Sequence, residues 1–395
     1  MKLLHTSDWH LGRSFGSVSL LDDQKAFLDW LVNQSVEHRV DLVVVAGDVF
    51  DRAVAPVEAV VLFRSALERL LGTRTRVAVI TGNHDGADRV AAYDTLLDLS
   101  GACVRGGYSN RGEVLHLHFP DGPLDVAMLP FLDPQAAPDD FPDETAATDD
   151  APDNDAFERR VRRTHHSVLQ SAIALARQNM TAPRSVAISH AYVAGSTTSE
   201  SERHLVVGGS GTVEASLFDG FSYAALGHLH RPQTVAGHPT VRYAGSPLAY
   251  SFSENHPKTI AIVDMTADGT CTIEEIRVPV GRAVCTVTGT IDDLLSATPE
   301  RSVVESFVRA IVTDPGVVLD ARQRLSVVYP HVVEIELRPP VQAGATSDRG
   351  FELGKMSAAE AVESFWLAST GSPPTGDERA LLHQALANAE RRETR

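Results

Sequence analysis

The sequence predicts an α/β fold: two packed β-sheets flanked by helices, with a small βαβαβ capping domain and a pair of C-terminal helices. Three observations carry this expectation. Short continuous Val/Ile/Leu runs alternate with amphipathic helical periods over residues 1–100, closely spaced strands follow, and the pattern restarts near residue 282. Continuous apolar runs suit strands covered on both faces, and alternation with helices suits crossover connections.

Taken in order, "KLLHT" at 2–6, "DLVVVAG" at 41–47 and "RVAVITG" at 76–82 are strands. The helical periods at about 20–37, 56–71 and 87–98 connect them into a partly parallel sheet. Residues 112–129, 184–191, 222–227, 240–245, 258–265 and 270–279 read as strands with mostly short connections, so a second, more antiparallel sheet is expected beside the first. Residues 1–281 form this larger domain. From 282, "RAVCTVTGT", a short helix, "SFVRAIVTD", a helix at about 317–328 and "HVVEIELRP" make a βαβαβ module ending at 338, too small for an enzyme core but sufficient for a cap.

Pro339 and Pro340 open a linker to residue 356. In 357–395, capping boxes at Ser357 with Glu360 and Thr375 with Glu378 start two helices. Ala358, Val362, Phe365 and Trp366 line one face of the first; Leu382, Ala385, Leu386 and Ala389 line one face of the second. Such a pair either packs back on the body or docks on another protein.

At 395 residues, 43% hydrophobic and 22% charged, the chain has room for two or three domains. No apolar run approaches the roughly 18 residues of a membrane span, and the N-terminus lacks the basic-then-apolar layout of a signal peptide, so a cytoplasmic location is expected. Cys103, Cys271 and Cys285 are too scattered for a disulfide framework or a cysteine zinc site. A net charge of −17 argues against wrapping nucleic acid through bulk positive potential. Contact with nucleic acid would have to be local, metal-assisted or shared with a partner. Ten of the 26 residues from 133 to 158 are Asp or Glu, which reads as a solvated acidic insert, and "RRVRR" at 159–163 as a solvated helix face.

The chemistry sits at strand ends. "SDWHLG" places Asp8 and His10 after the first strand, "AGDVFDR" places Asp48 after the second, and "TGNHDG" places Asn83 and His84 after the third. Later strands end in "ISHAYV", with His190, and "ALGHLH", with His228 and His230. Ligands of open α/β sheets gather outside the carboxyl ends of strands, so these segments can converge on one crevice. Asp, Asn and His without Cys suit Mn²⁺, Fe²⁺ or Zn²⁺, and a mixed oxygen/nitrogen site with open positions leans to Mn²⁺. The candidates are too many for one ion but fit two that share a carboxylate. Two such ions suit hydrolysis of a phosphate ester, with His84 left to act as an acid or as a stabiliser of developing charge.

Five motifs in this order, Asp8-x-His10, Gly-Asp48-x-x-Asp51-Arg52, Gly-Asn83-His84-Asp85, Ser-His190 and Gly-His228-x-His230, resemble those of the calcineurin-like metallophosphoesterase superfamily. Over roughly residues 1–340, "LHTSDWHLGR", "VVVAGDVFDR", "TGNHD", "LGHLHRPQ" and "YAGSPLAYSFSE" are more closely similar to its SbcD family of nuclease subunits. That resemblance implies one metal held by Asp8, His10 and His230, another by Asn83, His190 and His228, and Asp48 bridging them. It implies His84 as the catalytic histidine, Asp51 in the place of the aspartate that orients it in related phosphatases, and Arg52 as a phosphate contact. Asp51 and Arg52 could equally form a local ion pair closing the turn. Arg13, Tyr192 and Arg231 flank the candidate ligands, as crevice-rim side chains or substrate contacts.

The resemblance further implies a DNA nuclease acting at ends and hairpins in repair and recombination, and the donor chemistry suits it to Mn²⁺, with Mg²⁺, Fe²⁺ or Zn²⁺ as alternatives. Its implied partners are an SbcC-type coiled-coil ATPase and a second copy of the chain, joined through the helices at 56–71 and 87–98. The rival expectation is a phosphatase or phosphodiesterase acting on small molecules or nucleotides.

Overall fold

The computed structural model describes residues 1–138, 163–202, 211–316, 318–340 and 357–393. Most of the expected acidic insert, "RRVRR" up to residue 162, and the linker from 341 to 356 lie outside them.

In strands Lys2–Thr6, Leu42–Ala46 and Arg76–Ile80, alternate residues serve two different cores. Leu4, Val43, Val45, Val77 and Val79 pack with Phe27, Leu28 and Leu31 of helix Leu21–Glu37 and with Ala59, Phe63 and Leu67 of helix Val57–Gly72. Leu3, Leu42, Val44, Ala46, Ala78 and Ile80 face the second sheet, where they meet Leu124, Val126, Met128, Val186, Ile188 and Ala225. Both faces of these strands are covered, and the three are parallel to one another and to Ala102–Arg105, a strand too short to stand out in the sequence.

Two assignments differ from expectation. Strands Thr259–Met265 and Cys271–Arg277 belong to the first sheet, antiparallel to each other, with Thr259–Met265 antiparallel to Lys2–Thr6. The second sheet runs Gln233–Val235, His238–Tyr243, Tyr223–Gly227, Ser185–His190, Gly122–Leu129, Glu113–Phe119. Its three inner pairings are parallel and only its edge hairpins are antiparallel, so it is not the mainly antiparallel sheet expected. The physical reason is visible in "SVAISH" and "YAALG", buried at every position as parallel strands are. The outer face of this sheet is closed by helix His165–Asn179, whose Val168, Leu169, Ala172 and Ile173 pack on Ala127, Ala187 and Leu226.

The chain forms two units, Met1–Cys285 and Thr286–Arg395. In the second, strands Val284–Gly289, Phe307–Val312 and Val332–Leu337 lie in that order, with helices Ile291–Ser296, Arg301–Val304 and Ala321–Leu325 between them. The helix expected at 317–328 is thus shorter, and that expected at 87–98 is broken into Ala87–Val90 and Asp94–Asp98. Helices Ala358–Thr370 and Gly376–Glu393 open with both anticipated capping boxes. Glu363 joins them by pairing with Arg379 and His383, each at 3.0 Å, and leaves Phe365 69% exposed. The Ala389 side chain lies outside the described residues. No described helix is long and apolar enough to cross a membrane.

Candidate metal centre

The turns that end the strands carry unusual backbone. Asp8, His10 and Asp48 have φ of 53°, 44° and 50°, and His228 has 103°. A non-glycine residue in this region costs roughly 1–3 kcal/mol and persists only where surrounding contacts impose it. Here Asp8 N–H donates to the Gly47 carbonyl at 3.0 Å and His10 N–H to the Asp48 carbonyl at 2.9 Å, tying the first two turns together. Glycine permits the closest approaches: a Cβ on Gly227 would overlap the Ala46 carbonyl, and one on Gly82 the Asp48 carboxylate.

Donor atoms of Asp8, His10 and His230 come within 4.8 Å of one another, as do those of Asp8, Asp48 and His190, and those of His10, Asp48 and His84. His10 Nε2 is 3.1 Å from His230 Nε2. On the other side Asn83 Oδ1 lies 2.9 Å from His190 Nε2 and 3.1 Å from His228 Nδ1. Asp48 stands between the groups, its Oδ2 3.5 Å from His10 Nε2 and 3.6 Å from His190 Nε2. The second oxygens of the carboxylates are occupied: Asp48 Oδ1 accepts from His84 N–H at 2.9 Å, and Asp8 Oδ1 from His228 N–H at 3.0 Å.

Electrostatics describe a centre built for positive charge. Burial, reinforced by neighbouring Asp48, pushes the Asp8 carboxyl well above its ordinary value. Burial pushes His10, His190 and His228 down, which leaves neutral rings with lone pairs. A buried carboxyl disfavoured as an anion, ringed by neutral nitrogen donors and an amide oxygen, is relieved by a divalent cation. The donor set therefore fits a divalent metal. His190 Nδ1, at 2.9 Å from the Ala46 carbonyl, must carry its hydrogen there, so its Nε2 carries the lone pair on the side of Asn83 and Asp48.

At the mouth, Arg13, Ser14, Asp51, Arg52, His84 and Ser201 line a cavity of about 430 Å³. His84 Nδ1 donates to the main-chain carbonyl of Asp51 at 2.9 Å. The Asp51 carboxylate lies among Arg13 at 3.3 Å, Arg52 at 3.5 Å and His10 Nδ1 at 4.0 Å. Arg52 is thus both ion-paired and 80% exposed. Arg13 also stacks over the Tyr250 ring, 4.8 Å from its centroid, while Tyr192 lies beside His228 and Arg231 is exposed.

Several supporting residues carried no assignment in the sequence. Asp85 accepts from the amides of Gly82, Val49 and Phe50 at 2.9, 3.1 and 2.8 Å, joining the second and third turns. Burial, with Asp48 nearby, raises its pKa to about 7. Glu202, Glu254 and Tyr250 surround His230, and only the last two fall in a stretch the motifs had marked. Unassigned His5 is a core residue bonded to Tyr223 and Leu226, and His116 pairs with Asp125.

Comparison with known proteins gives the family. Residues 1–232 match the family model of calcineurin-like phosphoesterases, so the chain is a phosphoesterase of that class. Residues 280–370 match a second family model, described as the type 5 capsule protein repressor C-terminal domain. The SbcD subunit of the SbcCD nuclease of Bacillus subtilis is 31% identical over 98% of both chains. That of Escherichia coli K12 is 30% identical over 81% of this chain and 77% of its own, and that of Staphylococcus epidermidis 27% over 85% of each. The chain belongs to this SbcD family of metal-dependent nucleases.

Proposed function

We propose that the centre holds two divalent cations, most suitably Mn²⁺, and hydrolyses DNA phosphodiester bonds. Asp8, His10 and His230 hold one ion, Asn83, His190 and His228 the other, and Asp48 bridges. The observation that carries this reading is the position of Asp48 Oδ2, 3.5 Å and 3.6 Å from a histidine nitrogen of each group. Bound there, two cations would acidify a water and draw charge from the phosphoryl oxygens of an in-line displacement.

The protein's own part falls to the mouth. Because Nδ1 of His84 is spent on the Asp51 carbonyl, its Nε2 is the atom that can hold or give a proton, and it lies 4.0 Å from Asp48 Oδ2. As water replaces the leaving oxygen on phosphorus, His84 supplies a proton or positive charge. Arg52 contacts the phosphate, and Asp51 positions Arg13 and Arg52 rather than acting on phosphorus.

The net charge of −17 leaves little for independent DNA binding, so access to ends and hairpins belongs to an SbcC-type ATPase partner. Residues 357–393, with exposed Phe365, Leu367 and Leu381, supply its docking surface. Val57, Val60, Val61, Tyr93, Leu96 and Leu99 are exposed apolar residues on or beside the helices assigned to homodimerisation. The test is cleavage of a labelled duplex and a hairpin with Mn²⁺, with and without the ATPase, beside a chromogenic phosphodiester. Cutting of DNA supports the proposal; hydrolysis of the small ester alone refutes it.

A further inference from the structure

His230 is gripped on every polar atom. Its main-chain N–H donates to Glu202 Oε1 at 2.7 Å, and its carbonyl is 3.3 Å from Lys258 Nζ. Its ring Nε2 faces His10, whereas Nδ1 lies 3.1 Å from Glu254 Oε1 and 2.7 Å from Ser201 Oγ. An ionised carboxylate only accepts, so the hydrogen between Glu254 and His230 sits on Nδ1. Ser201 spends its own hydrogen on the same Oε1 and is left to accept from the ring.

Glu254 is itself immobilised. Its Oε2 receives the Lys258 ammonium, which also donates to Ser246 Oγ at 2.8 Å, while the Ser246 hydroxyl donates to the Leu248 carbonyl at 2.8 Å. Glu254 is 2% exposed and, like Lys258, borders a cavity of about 580 Å³ that Arg277 and Arg282 also line. A buried ion pair of this kind adds little net stability over apolar residues of similar volume. Its placement against one ring nitrogen is what distinguishes it. His190, by contrast, is oriented by the neutral Ala46 carbonyl, which polarises the ring less.

We propose that Glu254 is the positioning residue of His230: clamped by Lys258, its carboxylate fixes the Nδ1–H tautomer and turns a strengthened Nε2 lone pair towards Asp8 and His10. This rests on the reading of His230 as a metal ligand. It makes the Glu254–Lys258 pair part of the metal site although neither side chain touches the ions.

Nitrogen chemical shifts of His230 in the metal-free full chain test the tautomer directly. The Nδ1–H form should dominate; a dominant Nε2–H form overturns the proposal without any variant. Mn²⁺ affinity by equilibrium dialysis provides the second readout, on wild type, Glu254→Gln, Glu254→Ala and His230→Ala. Glu254→Gln, which keeps volume but loses the charge, should weaken one of the two ions by about tenfold, and Glu254→Ala by up to about 100-fold. Metal-free melting temperatures report whether either variant has merely unfolded, and Glu254→Gln decides if Glu254→Ala does. Wild-type affinity in Glu254→Gln overturns the positioning role. Wild-type affinity in His230→Ala would instead remove His230 from the ligand set.

Discussion

The main-chain amide of His84 donates to Asp48 Oδ1 at 2.9 Å, so the residue assigned to proton transfer also anchors the carboxylate assigned as the bridge. The bond uses the backbone of His84, not its ring. Ring chemistry and metal binding can therefore be separated by substitution.

His84→Gln should keep both metals while lowering turnover by about 10²–10³-fold, the range of general-acid and electrostatic contributions. Single-turnover cleavage and metal analysis on one preparation make the check. Near-normal cleavage with both ions present would remove His84 from the mechanism.

Asp48→Ala should be the most damaging ligand substitution, since it takes a donor from both groups. Elemental analysis should find fewer than half of the wild-type metal equivalents, against a smaller loss for Asn83→Ala. Full two-metal occupancy in Asp48→Ala would refute the shared carboxylate.

Gly227→Ala tests the packing of the two sheets against each other at the site. A Cβ would overlap the Ala46 carbonyl, a backbone atom that cannot swing aside. Overpacking of this kind costs about 1–3 kcal/mol, so the melting temperature should fall and metal content with it. An unchanged melting temperature would show that the strands separate freely.

His5 predicts a pH signature. Burial, with the Arg242 cation adding, lowers its pKa to about 3. The neutral ring bonds Tyr223 Oη and the Leu226 carbonyl at 2.9 and 3.1 Å. A folded pKa below the unfolded value of about 6.5 means that its contribution is complete above pH 6.5 and is lost as pH falls towards 3, at about 1.4 kcal/mol per unit. Denaturant unfolding of metal-free His5→Gln should show a correspondingly shallower acid slope than wild type. Parallel slopes would contradict the buried neutral state.

Deleting residues 357–395 should abolish co-purification with the ATPase but spare Mn²⁺-dependent cutting of simple single-stranded DNA. A lower melting temperature of the remaining chain would instead mean that the helices pack on the body.

The residues that gather at the centre were legible because each follows an apolar run, and strand ends of an α/β sheet meet in space whatever their separation in sequence. Asp8 and His230 are an example, far apart in the chain yet in one cluster. Asp85 and Glu254 were not legible in the same way. Their work is to hold Val49, Phe50 and His230 across turns whose approach depends on positive-φ backbone and on glycines such as Gly82 and Gly227. The direction of the second sheet was hidden for a related reason. Fully apolar strands such as "YAALG" record burial but not the partner's direction.

Titration of the full chain with Mn²⁺, followed by direct binding and by DNA cleavage on the same samples, tests the two-ion centre most directly. The account predicts two ions per chain, with cleavage rising as the second site fills and vanishing in Asp48→Ala. One ion per chain, or full cleavage once the first ion has bound, would contradict it.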